Sequence, residues 1–253
     1  ALLAGDTAYV PHRNFYLNGG ADTFPADMYY ANLEGDFDAN RNSRFGEIFA
    51  GDNDVATNKI DLTAELAVGR FSGESAYEIQ TAVYKTLAYE GLPVNAGVHN
   101  RALIWTDIYA ELANRITSST STPGFSSDDP ETSGARLWNT AQDPVWKRMN
   151  SGQWGFFSHG GHGGPGGIAY FDEGSCNSLA NAPGFFHCTT IGCLTGKFDE
   201  HCLPEFLTTH NRGGGAFAAV MNSNLGYAGP INAAVNYEFE IPFGSGITEL
   251  GRI

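Results

Sequence analysis

Apolar residues come along this chain in short runs that stop at Gly or Asp, and these runs alternate with amphipathic stretches. Ala1-Leu2-Leu3-Ala4 predicts a buried strand ending at Gly5-Asp6. Residues 7–61 are dense in Asp, Asn and Gly and predict a long loop-rich region. Residues 66–71 predict the next strand. Behind it, Ser75-Ala76-Tyr77-Glu78 has the form of a capping box. Ile79, Val83 and Leu87 then recur every four residues and predict the core face of a helix that Gly91 and Pro93 stop.

Residues 102–106 predict a third strand ending at Asp107, and residues 118–133 a Ser/Thr/Pro-rich loop. A helix at residues 144–150 precedes a strand at 154–158. A strand at 188–191, a short helix at 204–210 and a buried strand at 216–221 follow. Continuous apolar strands alternating with helices predict an α/β fold, with a mainly parallel sheet covered on both faces. In such sheets the site lies at the carboxyl ends of the strands, where Asp107, His162 and Cys193 fall. With no internal repeat and no long linker, one domain is expected across residues 1–253.

Composition narrows the partners. Asp and Glu outnumber Lys and Arg by 28 to 14, and the resulting charge of −14 argues against nucleic acid or an anionic membrane. No apolar run approaches the length of a membrane span. The chain starts abruptly inside a predicted strand, so a segment trimmed from a longer precursor is expected. Such a precursor has room for a pro-segment and a further C-terminal domain.

Candidate chemistry concentrates in two Gly-rich turns. Gly192-Cys193-Leu194-Thr195-Gly196 offers a thiol at the end of one strand. His159-Gly160-Gly161-His162-Gly163-Gly164 offers imidazoles at the end of another. A thiol nucleophile needs an acid/base partner and donors for a developing oxyanion. Glycine turns let a substrate backbone come close to both. Any Cys can instead be a buried structural thiol. Zinc fits poorly, because the cysteines lack a paired C-x2-C knuckle. A disulfide among Cys176, Cys188 and Cys202 is open and would leave Cys193 free.

Gly161-His162-Gly163, then Gly192-Cys193-Leu194-Thr195-Gly196-Lys197-Phe198-Asp199, then Cys202-Leu203-Pro204-Glu205-Phe206-Leu207 resemble the gingipain family of caspase-like cysteine peptidases. Ala67-Val68-Gly69-Arg70-Phe71-Ser72, Asp27-Met28-Tyr29-Tyr30 and Leu2-Leu3-Ala4-Gly5-Asp6 extend the resemblance over residues 2–230. It implies a caspase-like three-layer α/β sandwich and a secreted or cell-surface cysteine endopeptidase that cleaves protein or peptide substrates through a thioester. No cofactor is implied for the chemistry. His162 would be the acid/base and Cys193 the nucleophile, with the backbone N–H groups of Gly163 and Cys193 at the oxyanion. Ser158-His159-Gly160 resembles the Ser-His-Gly of caspases, which keeps His159 as the alternative base. The gingipain-like Cys segment favours His162. Asp107 stands where the family places an acid near the His, although a loop cap reads as well there. Tyr227, Asn222 and Asn224 fall where the family walls its S1 pocket.

Asp36, Asp38, Asn40, Asn42 and Glu47 place oxygen ligands at EF-hand-loop spacing, which predicts a structural calcium ion. Arg41 occupies the position that asks for Gly. A second expectation therefore stands beside the peptidase: a non-catalytic, calcium-stabilised surface or adhesion module that keeps the fold.

Overall fold

The computed structural model describes residues 1–17, 22–47, 63–93, 97–106, 126–128, 144–168 and 171–226. Its N-terminal part is made of small pieces. Strand β1 (Leu2–Ala4) pairs in parallel with β4 (Gly69–Phe71), and β2 (Arg13–Leu17) pairs antiparallel with β3 (Asp22–Ala26). A single turn of helix, α1 (Met28–Ala31), follows β3. Two expectations change here. The first strand is not buried, since Leu2 is largely exposed and β1 has only β4 beside it among the described residues. The region expected to be loop contains β2 and β3, whose Phe15 and Phe24 pack against each other.

Arg70 ties these pieces together. Its guanidinium makes a two-pronged ion pair with Asp27, both bonds 2.7 Å, and donates to the carbonyls of Gly5 and Val10. A planar fork with five donors suits such a junction, which a lysine could not span.

Helix α2 (Ala76–Glu90) starts as expected: Ser75 accepts the Glu78 N–H, and Glu78 reaches back to Glu74 N–H. Its orientation is the opposite of the one expected. Val83 and Leu87 are 41% and 61% exposed, whereas Thr81, Ala82 and Lys85 form the buried face. Lys85 donates from Nζ to the Leu207 carbonyl at 2.5 Å. Gly215, at φ +97°, leaves room there that a Cβ would fill.

The centre is an all-parallel sheet built from β5 (Arg101–Thr106), β6 (Ser126–Asp128), β7 (Phe156–Gly160), β11 (Phe186–Thr190) and β12 (Ala216–Met221). Their order is β12–β11–β7–β5–β6. Between β7 and β11 lies a small antiparallel meander of β8 (Gly163–Gly164), β9 (Gly167–Ile168) and β10 (Phe171–Asp172). One face of the main sheet carries Leu103, Trp105, Phe157 and Cys188 into the core. Helix α3 (Pro144–Met149), helix α4 (Glu173–Asn177) and helix α5 (Leu203–Glu205) contribute Val145, Met149, Cys176 and Leu203 to that core. A π-helical turn, Phe206–His210, continues α5 and adds Phe206 and Leu207. On the other face Tyr89 of α2 stacks on Phe217, and Phe217 approaches His187. Burial pushes the His187 imidazole down to about 4, which keeps it neutral and structural.

Candidate functional site

Register fixes the site. Across β5, β7 and β11 the residues fall in rows: Leu103, Phe157 and Cys188, then Ile104, Ser158 and Thr189, then Trp105, His159 and Thr190. The first row is apolar and deep. The third lies just beneath the two Gly-rich turns and shares its sheet face. His159 and Thr190 are direct partners, so His162 and Cys193, each three residues further on, leave their strands in step.

The two turns then touch backbone to backbone. A Cβ placed on Gly163 would meet Thr195 Cγ2 at 2.5 Å and Gly192 Cα at 3.0 Å. One placed on Gly192 would meet Gly163 Cα at 3.2 Å. Glycine at both positions is what allows the His turn and the Cys turn to lie side by side.

His162 is exposed, while His159 has no exposed surface. His159 Nδ1 lies 2.8 Å from Thr190 Oγ1, and its ring packs against Trp105 with centroids 4.5 Å apart. Of the two candidate bases only His162 faces solvent.

The four thiols divide in the same way. All are free, and Cys176, Cys188 and Cys202 are buried, so the open disulfide reading finds no bond here. Burial pushes the Cys202 thiol up to about 12 and raises Cys176 well above the ordinary range. Cys193 alone is partly exposed. The Gly226 N–H points at its sulfur from 3.4 Å, where a negative charge on sulfur would sit.

The Cys turn is held by the chain leaving β12. Asn224 O accepts the Leu194 N–H at 2.9 Å, and Asn222 O accepts the Gly196 N–H at 2.8 Å. Leu194 sits at φ +59°, a left-handed conformation costing about 1 kcal/mol for a residue with a Cβ. Asn222 and Asn224 thus meet the Cys turn itself. Asn222 spends its side-chain amide on the Ile191 and Gly192 carbonyls. Nothing in the sequence announced that contact, because its partners are carbonyls. Asp107 and Tyr227 lie outside the described residues.

Beyond the turn, Phe198 lies under the Arg70 guanidinium, 5.1 Å from ring centroid to Cζ, and against His12 at 5.7 Å. The Asp27–Arg70 junction therefore reaches the segment that follows Cys193.

The acidic loop stands apart. Asn40 and Asn42 both donate to Glu47 Oε2, at 2.8 and 2.9 Å. Asp38 accepts the Asn42 and Ser43 N–H groups, and Asp36 accepts that of Asp38. Arg41 takes φ +60°, so the sharp turn forms without glycine. The loop satisfies its own carboxylates, and the described residues contain no cluster of three His, Cys, Asp or Glu side chains suited to a metal ion. Nor does any described helix have the length and apolarity to cross a membrane.

Residues 1–253 match the family model described as peptidase family C25. Solved structures give the same fold. The Arg-specific cysteine proteinase gingipain R superposes with a TM-score of 0.69 at 19% identity, covering 98% of this chain and 54% of that one. The complex of Porphyromonas gingivalis RgpB pro- and mature domains gives 0.69 at 17% identity, covering 95% and 53%. A structure described as a protease gives 0.65 at 16% identity, covering 94% and 47%. This chain thus spans about half the length of each. No curated protein matches it.

Proposed function

The chain belongs to peptidase family C25, and on that footing we propose that it is a cysteine endopeptidase working through Cys193 and His162. The observation that carries this reading is the paired exit of β7 and β11. Strand register puts the only accessible thiol and the accessible imidazole on adjoining turns that touch at Gly163 and Gly192.

In this reading the Cys193 thiolate attacks the scissile carbonyl carbon, and the carbonyl oxygen takes the charge. The N–H groups of Cys193 and Gly163 hold that oxyanion. The geometry around Cys193 supports its part in this. The Gly192 carbonyl is bound on the protein side by Thr195 Oγ1 and Asn222 Nδ2. In a planar trans peptide the N–H of the next residue points the opposite way. Collapse of the oxyanion expels the amine, to which His162 gives a proton, leaving a thioester. His162 then takes a proton from water as it attacks, and the acid product leaves.

The substrate is a protein or peptide, and no cofactor enters these steps. Secretion or surface display is part of the proposal and follows the family likeness, as do a pro-segment and further domains in a longer precursor. Asp107 as the partner of His162, and Tyr227 as an S1 wall, are retained from the sequence alone. A single catalytic domain over residues 1–253 is likewise proposed.

Structural calcium belongs here too, supported by ligand spacing and by the left-handed Arg41 turn. To receive the ion, Asn40 and Asn42 would turn their amide oxygens inward, leaving Glu47 free to bind metal. Millimolar Ca2+ should then raise the Tm of the native chain and leave Glu47→Gln unmoved; equal responses would remove the site.

The direct test of the activity is Cys193→Ala. Peptide hydrolysis should fall by at least about 1,000-fold with an unchanged circular dichroism spectrum. Undiminished turnover would refute the assignment.

A further inference from the structure

The peptide bond that joins Gly192 to Cys193 is gripped more firmly than a turn of this size requires. Thr195 Oγ1 donates to the Gly192 carbonyl at 3.0 Å, and Asn222 Nδ2 adds a longer contact at 3.3 Å while holding Ile191 O at 3.0 Å. On the other side, the Gly192 N–H donates to Thr190 Oγ1 at 2.9 Å. Thr190 is in turn fixed by His159 Nδ1 at 2.8 Å. Thr190, Thr195 and His159 are all buried, so these bonds are shielded from water.

A carbonyl with two donors cannot rotate without breaking both. Because the peptide is planar, fixing the Gly192 oxygen also fixes the direction of the Cys193 N–H. Thr195 does a second thing: its methyl group lies against Gly163, the neighbour expected to supply the other oxyanion donor. One side chain therefore touches both halves of the hole.

We propose that Thr195 and Asn222 are positioning residues for acyl transfer: they aim the Cys193 N–H at the oxyanion by clamping the Gly192 carbonyl. This rests on the reading of Cys193 as the nucleophile. Neither residue touches the substrate. Asn222 is thereby assigned to the frame of the nucleophile's turn, in place of the S1 wall.

The role makes an unusual split in reactivity. Acyl transfer passes through an oxyanion and needs the aimed N–H. Alkylation of the same thiol by iodoacetamide displaces iodide at a saturated carbon, forms no oxyanion, and needs only the thiolate. Thr195→Val keeps the methyl group against Gly163 and removes the hydroxyl. Its kcat on a peptide substrate should fall by about 10- to 100-fold, below the full loss of an oxyanion donor. KM should stay within about threefold, and the rate and pH profile of Cys193 alkylation should match the native protein. Thr195→Ser, which restores the donor, should recover most of kcat.

If kcat of Thr195→Val stays within about threefold of native, or if alkylation falls in parallel with kcat, the inference fails. Should Thr195→Val not fold, the same two rates measured on Asn222→Ala decide by the same criteria. Turnover by Cys193→Ala would instead remove the nucleophile reading and this inference with it, whereas normal turnover by Thr195→Val removes the inference alone.

Discussion

The carboxyl ends of β7 and β11 and the inner face of helix α2 both bury polar side chains, but they do so by different means. At the strand ends, burial comes with cross-strand partners already set by register. Thr189 Oγ1 donates to Ser158 Oγ at 3.0 Å on one face of the sheet, and His159 meets Thr190 on the other. On α2, Lys85 is buried with a carbonyl 122 positions away as its partner. Register supplies neighbours of complementary chemistry at no extra cost in chain order. A helix facing a distant turn gets whatever that turn presents. The first arrangement pairs buried hydroxyl and imidazole groups within their own rows; the second perturbs a charge.

The perturbation gives the largest stability effect. Burial pulls the Lys85 ammonium down from 10.5 to about 7. Between those values the unfolded chain holds a proton that the folded chain has lost, so stability rises with pH across the window. Below about 7 both states are protonated and the slope from this group vanishes. At about 1.4 kcal/mol per pH unit the cost of burial at pH 7 is roughly 5 kcal/mol. Lys85→Met removes that cost but deprives the Leu207 carbonyl of its donor, worth about 1–2 kcal/mol. The variant should be more stable at pH 7 by roughly 3 kcal/mol. It should also show a flatter dependence from pH 7 to 10 in urea unfolding. An unchanged slope would mean that Lys85 titrates as an ordinary surface lysine.

The outer face of the same helix gives the smallest effect. Leu87 carries the apolar period that reads as core, yet it is 61% exposed. Leu87→Ala should therefore cost less than about 1 kcal/mol, against roughly 2–5 kcal/mol for a buried leucine. A cost in the core range would return the helix to the orientation that its pattern suggests.

That inversion marks where sequence reading stops. Strands β7 and β11 were legible because each runs into glycine, at Gly160 and Gly192, with a reactive side chain close behind, and β12 because it is an apolar run that follows three glycines. The core face of α2 was not legible, since Thr81, Ala82 and Lys85 carry little apolar signal while Ile79, Val83 and Leu87 repeat cleanly. Strands β2 and β3 were hidden by a polar composition and by Pro25, which β3 tolerates because β2 is its only strand partner among the described residues. The choice between His159 and His162 needed burial, which the motif could not give. The work of Asn222 needed the distance to a carbonyl thirty residues earlier in the chain.

The central claim is that Cys193 and His162 act as one unit at the ends of β11 and β7. A thiol-directed peptidyl electrophile, followed by mass-spectrometric mapping of the modified residue, tests it most directly. The account predicts stoichiometric labelling of Cys193 in the native chain, none at Cys176, Cys188 or Cys202, and labelling at least about 100-fold slower in a folded His162→Ala variant. Equal labelling rates with and without His162, or a folded native chain that is not labelled at Cys193, would contradict it.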